Sequence, residues 1–162
     1  MIAHLIGTVG FVGHMKPAPG TWGSLAALPL AWILTLIHPF LICLAIPVVF
    51  AVGVWATGQM AQGAADPDKS EIVIDEVIGQ WIALLPVVLG AHFTGAALLD
   101  LYPGWIAAFV LFRLFDIWKP DPIGRADARK DAIGVMLDDV YAGIAAAVSV
   151  CIVAGVVHWV VA

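Results

Sequence analysis

The sequence is poor in charged residues and in cysteine. Only 12% of its 162 residues are charged, about half the usual share, whereas 62% are hydrophobic. The two cysteines, Cys43 and Cys151, both lie in apolar runs, which excludes a disulfide framework. A formal net charge of −5 argues against a nucleic-acid-binding protein. A mean hydropathy of +1.02 is too high for a soluble fold, because much of this apolar surface would face water. We therefore expect a protein of the lipid bilayer.

Five apolar tracts predict an all-α, polytopic membrane protein that forms one domain over residues 1–162. The predicted helices cover residues 24–37, 40–57, 77–99, 104–118 and 140–162. A membrane span needs ~20 apolar residues, so the second, third and fifth helices are long enough. The first and fourth are shorter and either cross a locally thinned bilayer or are partly embedded, which gives four or five spans. The apolar residues before Lys16 follow no basic segment, so no cleaved signal peptide is expected.

The basic residues predict the orientation of these helices. With five crossings, all seven fall on one side of the membrane, namely Lys16, Lys69, Arg113, Lys119, Arg125, Arg129 and Lys130. Lysine and arginine accumulate on the cytoplasmic side of membrane proteins, so we expect this side to face the cytoplasm. Eleven of the twelve acidic residues, all but Asp100, fall on the same side. A polar function at the cytoplasmic face is the expected reason.

A polar segment leads into the first predicted helix. It contains two glycines and two hydroxyl residues, Gly20, Thr21, Gly23 and Ser24. Backbone N–H groups at a helix start, together with hydroxyls, suit an anion. An equally simple interpretation is that Ser24 is the N-cap of the helix and that the glycines form a turn.

Two acidic pairs, Asp75-Glu76 and Asp138-Asp139, each come directly before an apolar helix. Each pair alone is typical of a first helical turn, where acids complement the helix dipole. If Glu71 were helical it would share a face with Asp75, four residues on. Two such pairs on one membrane face repel each other unless a cation or a proton compensates, and Mg²⁺ prefers carboxylate oxygens. The sequence therefore predicts a Mg²⁺ site formed by the four paired acids.

Charged residues also occur inside the fourth predicted helix. Arg113, Asp116 and Lys119 are spaced three apart and form one helical stripe. They can be interpreted as an intrahelical Arg–Asp pair followed by a snorkelling lysine. However, an ionised arginine within an apolar span is costly and usually functional. We expect Arg113 and Lys119 to contact phosphate and Asp116 to be a ligand or an orienting group. The five histidines show no metal-ligand spacing in the sequence, at positions 4, 14, 38, 92 and 158.

Together these motifs resemble the phosphatidylglycerophosphatase A family. The matching strings occupy residues 19–27, 72–76, 112–120 with 122–123, and 134–143. The resemblance implies a Mg²⁺-dependent phosphatase of the bacterial inner membrane that converts the phospholipid phosphatidylglycerophosphate to phosphatidylglycerol. Its catalytic residues would be Asp75, Glu76, Asp116, Asp138 and Asp139. Its phosphate contacts would be Thr21, Ser24, Arg113 and Lys119.

The expected reaction is phosphomonoester hydrolysis at the cytoplasmic interface. Mg²⁺ held by the acidic pairs would bind the phosphate and lower the pKa of a coordinated water. The cations would stabilise charge on the transferring phosphoryl group.

Two alternatives remain open from the residues alone. A CDP-alcohol phosphatidyltransferase also has clustered aspartates, but its Asp-x₂-Asp-Gly-x₂-Ala-Arg pattern is missing near Asp127 and Arg129. A non-enzymatic protein that binds or transports divalent cations would place its acids at mid-membrane. The segment from Asp66 to Asp68 superficially resembles the Asp-x-Asp motif of haloacid dehalogenase-type phosphatases, but no apolar strand precedes it.

Overall fold

The computed structural model describes residues 1–62 and 69–161, the last of these by its backbone alone. The Asp66–Asp68 motif lies outside the described residues. The ordered elements in this part of the chain are helical: α1 (Ile2–Gly7), a 3₁₀ turn (Val12–His14), α2 (Pro19–Ile37), α3 (Leu41–Met60), α4 (Ile74–Thr94), α5 (Tyr102–Trp118), α6 (Ile123–Asp127) and α7 (Ala132–Val161). This confirms the all-α fold.

Four helices, α2, α3, α4 and α7, are long and apolar enough to cross a membrane. The fourth predicted helix corresponds to α5, which has 17 residues and carries Arg113 and Asp116 near its end. The predicted bundle of about five helices is therefore confirmed. The chain is a multi-pass membrane protein.

Two predicted helix starts, those of α2 and α7, were wrong by more than a turn. α2 begins at Pro19, whose fixed φ suits the first helical position, so Ser24 lies in the second turn and is not the N-cap. α7 begins at Ala132, because the Asp131 carboxylate accepts a 2.6 Å hydrogen bond from the Gly134 N–H and caps the helix. Both acidic pairs therefore lie inside their helices instead of before them, Asp75-Glu76 in the first turn of α4 and Asp138-Asp139 about two turns into α7.

α4 forms the centre of the bundle. More than half of its most apolar stretch is buried, 56% against 22% for α2, α3 and α7. Its buried side chains include Val77, Trp81 and Leu84. The Trp81 indole N–H donates a 2.9 Å hydrogen bond to the carbonyl of Ala27 in α2. Because α4 contacts its neighbours on most sides, it sets the positions of the other helices.

The outward faces of the surrounding helices are apolar and exposed. Leu36 of α2, Leu44 of α3, Ile117 of α5 and Ile152 of α7 are each more than 60% exposed. An exposed apolar surface of this kind is unfavourable in water and is suited to contact with the lipid chains of the bilayer.

The helices alternate in direction, so the starts of α2, α4 and α7 meet the ends of α3 and α5. We call this the acidic end of the bundle. The Lys69 ammonium donates a 2.6 Å hydrogen bond to the carbonyl of Met60 at the end of α3. The opposite end contains the turns at residues 38–40 and 95–101 and the end of α7, and these segments have no lysine or arginine.

Candidate active site

A cavity of about 280 Å³ opens at the acidic end of the bundle. Charged side chains from three helices and the turn after α5 line it, and we call it the acidic cavity. They are Asp75, Glu76, Arg113, Asp116, Lys119, Asp138 and Asp139. Seven of the nine residues predicted for the site therefore share one cavity.

The five carboxylates of the cavity form two overlapping groups. Asp75, Glu76 and Asp139 present oxygen atoms within 4.8 Å of one another, and so do Asp116, Asp138 and Asp139. Asp139 belongs to both groups and is 3% exposed. One carboxylate oxygen of Asp139 (Oδ2) and one of Glu76 (Oε2) are buried without a hydrogen-bond partner among the described residues. Such oxygens fit the donor set of a hard divalent cation.

Arg113 of α5 links the acids to α2. One of its terminal nitrogens, Nη1, lies 2.7 Å from Asp116 and 3.8 Å from Glu76. The same nitrogen donates a 3.4 Å hydrogen bond to the Ser24 hydroxyl, which itself donates to the Gly20 carbonyl. The Arg113 Nε–H is buried and has no acceptor within the described part of the chain. The guanidinium is therefore held through its Nη1 atom, and its Nε–H remains as a hydrogen-bond donor for an anion.

Lys119 follows α5 and turns the chain back towards α7. Its backbone is left-handed, with φ +49° and ψ +51°, a conformation that is common where a helix ends but that residues other than glycine adopt rarely. Its ammonium donates a 2.9 Å hydrogen bond to Asp138 and a second one to Asp127. Burial lowers the pKa of Lys119, but these hydrogen bonds and the two negative charges raise it by more, so the pKa lies above its ordinary value. The side chain therefore remains a cation at any physiological pH.

The start of α2 closes one side of the cavity. A methyl group added at Gly20 would stand 3.2 Å from both terminal nitrogens of Arg113 and would overlap the Glu76 carboxylate. Glycine is needed here because the helix backbone approaches the charged groups closely. Thr21 is half-buried and Ser24 is fully buried. Neither of these two predicted phosphate contacts lines the cavity, and Ser24 contacts Arg113 instead.

The acidic cavity has an excess of negative charge. Five carboxylates line it, against two cations. Like charges at this spacing in a partly dehydrated site repel strongly unless a cation or a proton compensates. The arrangement can therefore hold a divalent cation beside an anionic group.

Three features of this end were missed or misjudged in the sequence. Glu71 does not share a helical face with Asp75, because α4 starts only at Ile74. Asp127, which pairs with Lys119, comes close through the chain reversal after α5, for which Pro120 and Pro122 were the available sequence signal. Gln80 is fully buried with both amide atoms unpartnered among the described residues. Gln80 comes four residues after Glu76 on the same helix, and this spacing could have marked it as a candidate site residue.

Comparison with known proteins gives a consistent result. The sequence profile of the family described as Phosphatidylglycerophosphatase A matches residues 5–154. The chain is 36% identical to the Phosphatidylglycerophosphatase A of Escherichia coli K12 over 147 residues, covering 89% of this chain and 78% of that protein. It is 38% identical to the Haemophilus influenzae protein of the same name over 160 residues, covering 96% and 89%.

A third relative carries a different name. The "Putative phosphatidylinositol-3-phosphatase" of Bacteroides thetaiotaomicron is 40% identical over 147 residues, covering 86% of each chain. No solved structure matches the chain. The family profile and the two relatives of the same name confirm the resemblance found in the motifs. This chain belongs to the phosphatidylglycerophosphatase A family of lipid phosphatases.

Proposed function

We propose that this protein hydrolyses the terminal phosphate of phosphatidylglycerophosphate, with Mg²⁺ as cofactor, at the cytoplasmic face of the bacterial inner membrane. Phosphatidylglycerol and phosphate are the products. The observation that carries the proposal is that Asp75-Glu76, Asp138-Asp139, Arg113 and Lys119 all face one cavity at a single end of a membrane bundle.

The donor set supports Mg²⁺. The two carboxylate groups that share Asp139 offer only oxygen ligands, which hard cations prefer. Asp75, Glu76, Asp138 and Asp139 would hold the ion, and Asp116 lies beside them. Bound Mg²⁺ would neutralise charge on the phosphate and polarise its oxygens.

The two cations, which lie against the acids, would bind the phosphoryl group beside the metal ion. The unpartnered Arg113 Nε–H would donate to a phosphoryl oxygen, and Lys119 would contribute a fixed positive charge. Because the pKa of Lys119 is raised, this residue acts through its charge and is a poor proton donor. In the overall reaction a water oxygen bonds to phosphorus, the bond from phosphorus to the glycerol oxygen breaks, and that oxygen takes up a proton.

The size and surroundings of the cavity suit a lipid head group. A volume of about 280 Å³ is near the lower end of ligand pockets, so it admits a phosphate with part of its glycerol but not two acyl chains. Trp22 and Leu25 of α2 and Leu114 and Trp118 of α5 are exposed apolar side chains on the helices beside the opening. We infer that the acyl chains stay in the bilayer along this surface.

The distribution of basic residues supports a cytoplasmic site. The acidic end carries the lysines and arginines, and the turns at the opposite end have none. Single cysteines at positions 125 and 100, introduced after replacement of Cys43 and Cys151, would test this. An impermeant maleimide should label position 100 in intact spheroplasts and position 125 only after permeabilisation. The reverse pattern would contradict the orientation.

The substrate is tested with purified protein and a panel of lipids. Phosphate release is measured with phosphatidylglycerophosphate, phosphatidic acid and phosphatidylinositol 3-phosphate, each with Mg²⁺ and with a chelator. The proposal expects the fastest release from phosphatidylglycerophosphate, and only with Mg²⁺. A preference for phosphatidylinositol 3-phosphate would reassign the head group. CMP release from a CDP-lipid, or metal uptake by proteoliposomes without phosphate release, would favour the two alternatives.

A further inference from the structure

A second cluster of metal-ligating side chains lies near the acidic end, outside the acidic cavity. His4 of α1, His14 of the 3₁₀ turn and Glu71 of the segment before α4 present ligand atoms within 4.8 Å of one another. The histidine positions in the sequence show no metal-ligand spacing, and only the fold brings His4 and His14 beside Glu71. The fold joins residues that are ten and 57 positions apart in the sequence.

The backbone between the two histidines has an unusual conformation that brings them together. Val9, Gly10 and Phe11 have φ values of +49°, +65° and +73°. A left-handed conformation is strained for a β-branched residue such as Val9. The resulting tight turn stacks the His14 ring on the His4 ring, with centroids 5.1 Å apart.

Glu71 is held against this turn by its backbone. A side-chain carbon added at Gly13 would overlap the Glu71 carbonyl, so the two chain segments touch there. Two residues further on, the Val73 N–H donates a 2.8 Å hydrogen bond to the Gly7 carbonyl. The three side chains therefore project from a braced framework, although each is roughly 40% exposed at its tip.

The spacing of the ligand atoms suits a metal better than direct hydrogen bonds. One oxygen of Glu71 lies 4.0 Å from His4 Nε2 and the other lies 3.8 Å from His14 Nδ1. These distances exceed hydrogen-bond range. Ligands on a tetrahedral Zn²⁺ with bonds near 2.0–2.1 Å are separated by about 3.3 Å. The two Glu71 distances exceed this value by about 0.5 and 0.7 Å, and one ligand atom from each residue lies within 4.8 Å of the others, a gap that exposed side chains can close by torsional changes.

We propose that His4, His14 and Glu71 form a binding site for one divalent transition-metal ion, Zn²⁺ foremost. Two imidazoles and one carboxylate are a known zinc donor set, with a fourth position left for water. Imidazole nitrogen favours such ions over Mg²⁺. The site would tie α1 and the 3₁₀ turn to the segment that enters α4. It involves none of the residues of the acidic cavity and does not depend on the proposed function.

Zinc binding to the full-length protein in detergent tests the proposal. The protein is purified through a tag without histidine, and Zn²⁺ is titrated by calorimetry in a large excess of Mg²⁺, which occupies oxygen sites but competes weakly for imidazole. We expect one Zn²⁺ per chain. His14→Ala and Glu71→Gln should each weaken Zn²⁺ binding by at least about 10-fold. Loss of a residue that only hydrogen-bonds to a metal ligand already has an effect of this size, and loss of the ligand itself should have no smaller one. His158→Ala, at the opposite end, is the matched control and should bind like the wild type.

A spectroscopic measurement makes the result independent of folding defects. Cu²⁺ bound in place of Zn²⁺ should show two coordinating nitrogens by electron paramagnetic resonance in the wild type, and one in His14→Ala or His4→Asn. Circular dichroism checks that each variant remains helical. Zinc affinity unchanged in these variants, a wild type that binds no Zn²⁺ under these conditions, or an unaltered nitrogen count would overturn the proposal.

Discussion

Gly143 of α7 lies against Gly79 of α4 so closely that a methyl group added at Gly143 would stand 2.5 Å from the Gly79 carbonyl oxygen. The approach is reciprocal, since a methyl group at Gly79 would stand 2.7 Å from the Asp139 carbonyl and would overlap the Phe112 ring. Glycines allow membrane helices to pack backbone to backbone in this way. The contact lies about one turn from both acidic pairs, so it sets the distance between them.

We therefore expect Gly143→Ala to disturb the site as well as the fold. The added carbon must push α7 from α4, and overpacking of this kind costs about 1–3 kcal/mol. The melting temperature in detergent should fall and phosphate release should drop. Gly155→Ala is the matched control, because Gly155 lies on the same helix and an added methyl group there would meet no described residue within 4 Å. There the substitution should be neutral or slightly stabilising, since alanine favours helix. Equal melting temperatures for both variants would contradict the close packing.

Arg113→Lys should impair catalysis while preserving the charge. Lysine has all its donors on one nitrogen, so it cannot contact Asp116 and Ser24 and also place a donor at the position of the Arg113 Nε–H, as the planar guanidinium does. Loss of one such donor to a transferring group typically lowers kcat about 100-fold. Ser24→Ala should have a smaller effect, because Ser24 acts by orienting Arg113. Arg125→Lys, an exposed arginine that pairs with Asp121, is the control. If Arg113→Lys retained the wild-type kcat, Arg113 would not contact the phosphoryl group.

Lys119 provides a prediction for pH dependence. A raised pKa in the folded protein means that the stability contributed by Lys119 is complete below the ordinary pKa of 10.5 and is lost only as the pH rises through the higher, folded value. The ammonium should therefore keep its charge, and Lys119→Met should melt at a lower temperature than the wild type, throughout the range from about pH 7 to pH 9. Equal melting temperatures within this range would show that the lysine is not held by Asp127 and Asp138.

Much of the fold could be predicted from the sequence, because apolar length alone identifies membrane helices. The helix starts could not. Hydropathy places a start where charge ends, whereas α4 and α7 begin before their acidic pairs, and Asp75 and Asp139 are buried at the acidic end of the bundle. Pro19 was the available signal for the true start of α2.

The site could be predicted in composition but not in geometry. The acidic pairs and Arg113 stood out because charge is rare in this chain. Which acid pairs with which base depends on how α5 and α7 meet, as in the contacts of Lys119 with Asp127 and Asp138. The cluster of His4, His14 and Glu71 depends on a left-handed turn at residues 9–11, and this turn was not predicted from the sequence.

The central claim is that the buried carboxylates hold a divalent cation on which phosphate release depends. Asp139 tests it best, because it belongs to both carboxylate groups and has an unpartnered buried oxygen. Asp100→Asn removes an exposed acid at the opposite end and serves as the control.

The decisive measurement is phosphate release from phosphatidylglycerophosphate as a function of Mg²⁺ concentration for the wild type, Asp139→Asn and Asp100→Asn. We expect Mg²⁺-dependent release from the wild type and Asp100→Asn. Asp139→Asn should lose at least about 100-fold in rate, or need far more Mg²⁺, while keeping its helical content. A wild type that is equally active in chelator, or an Asp139→Asn variant with an unchanged Mg²⁺ response, would contradict the account.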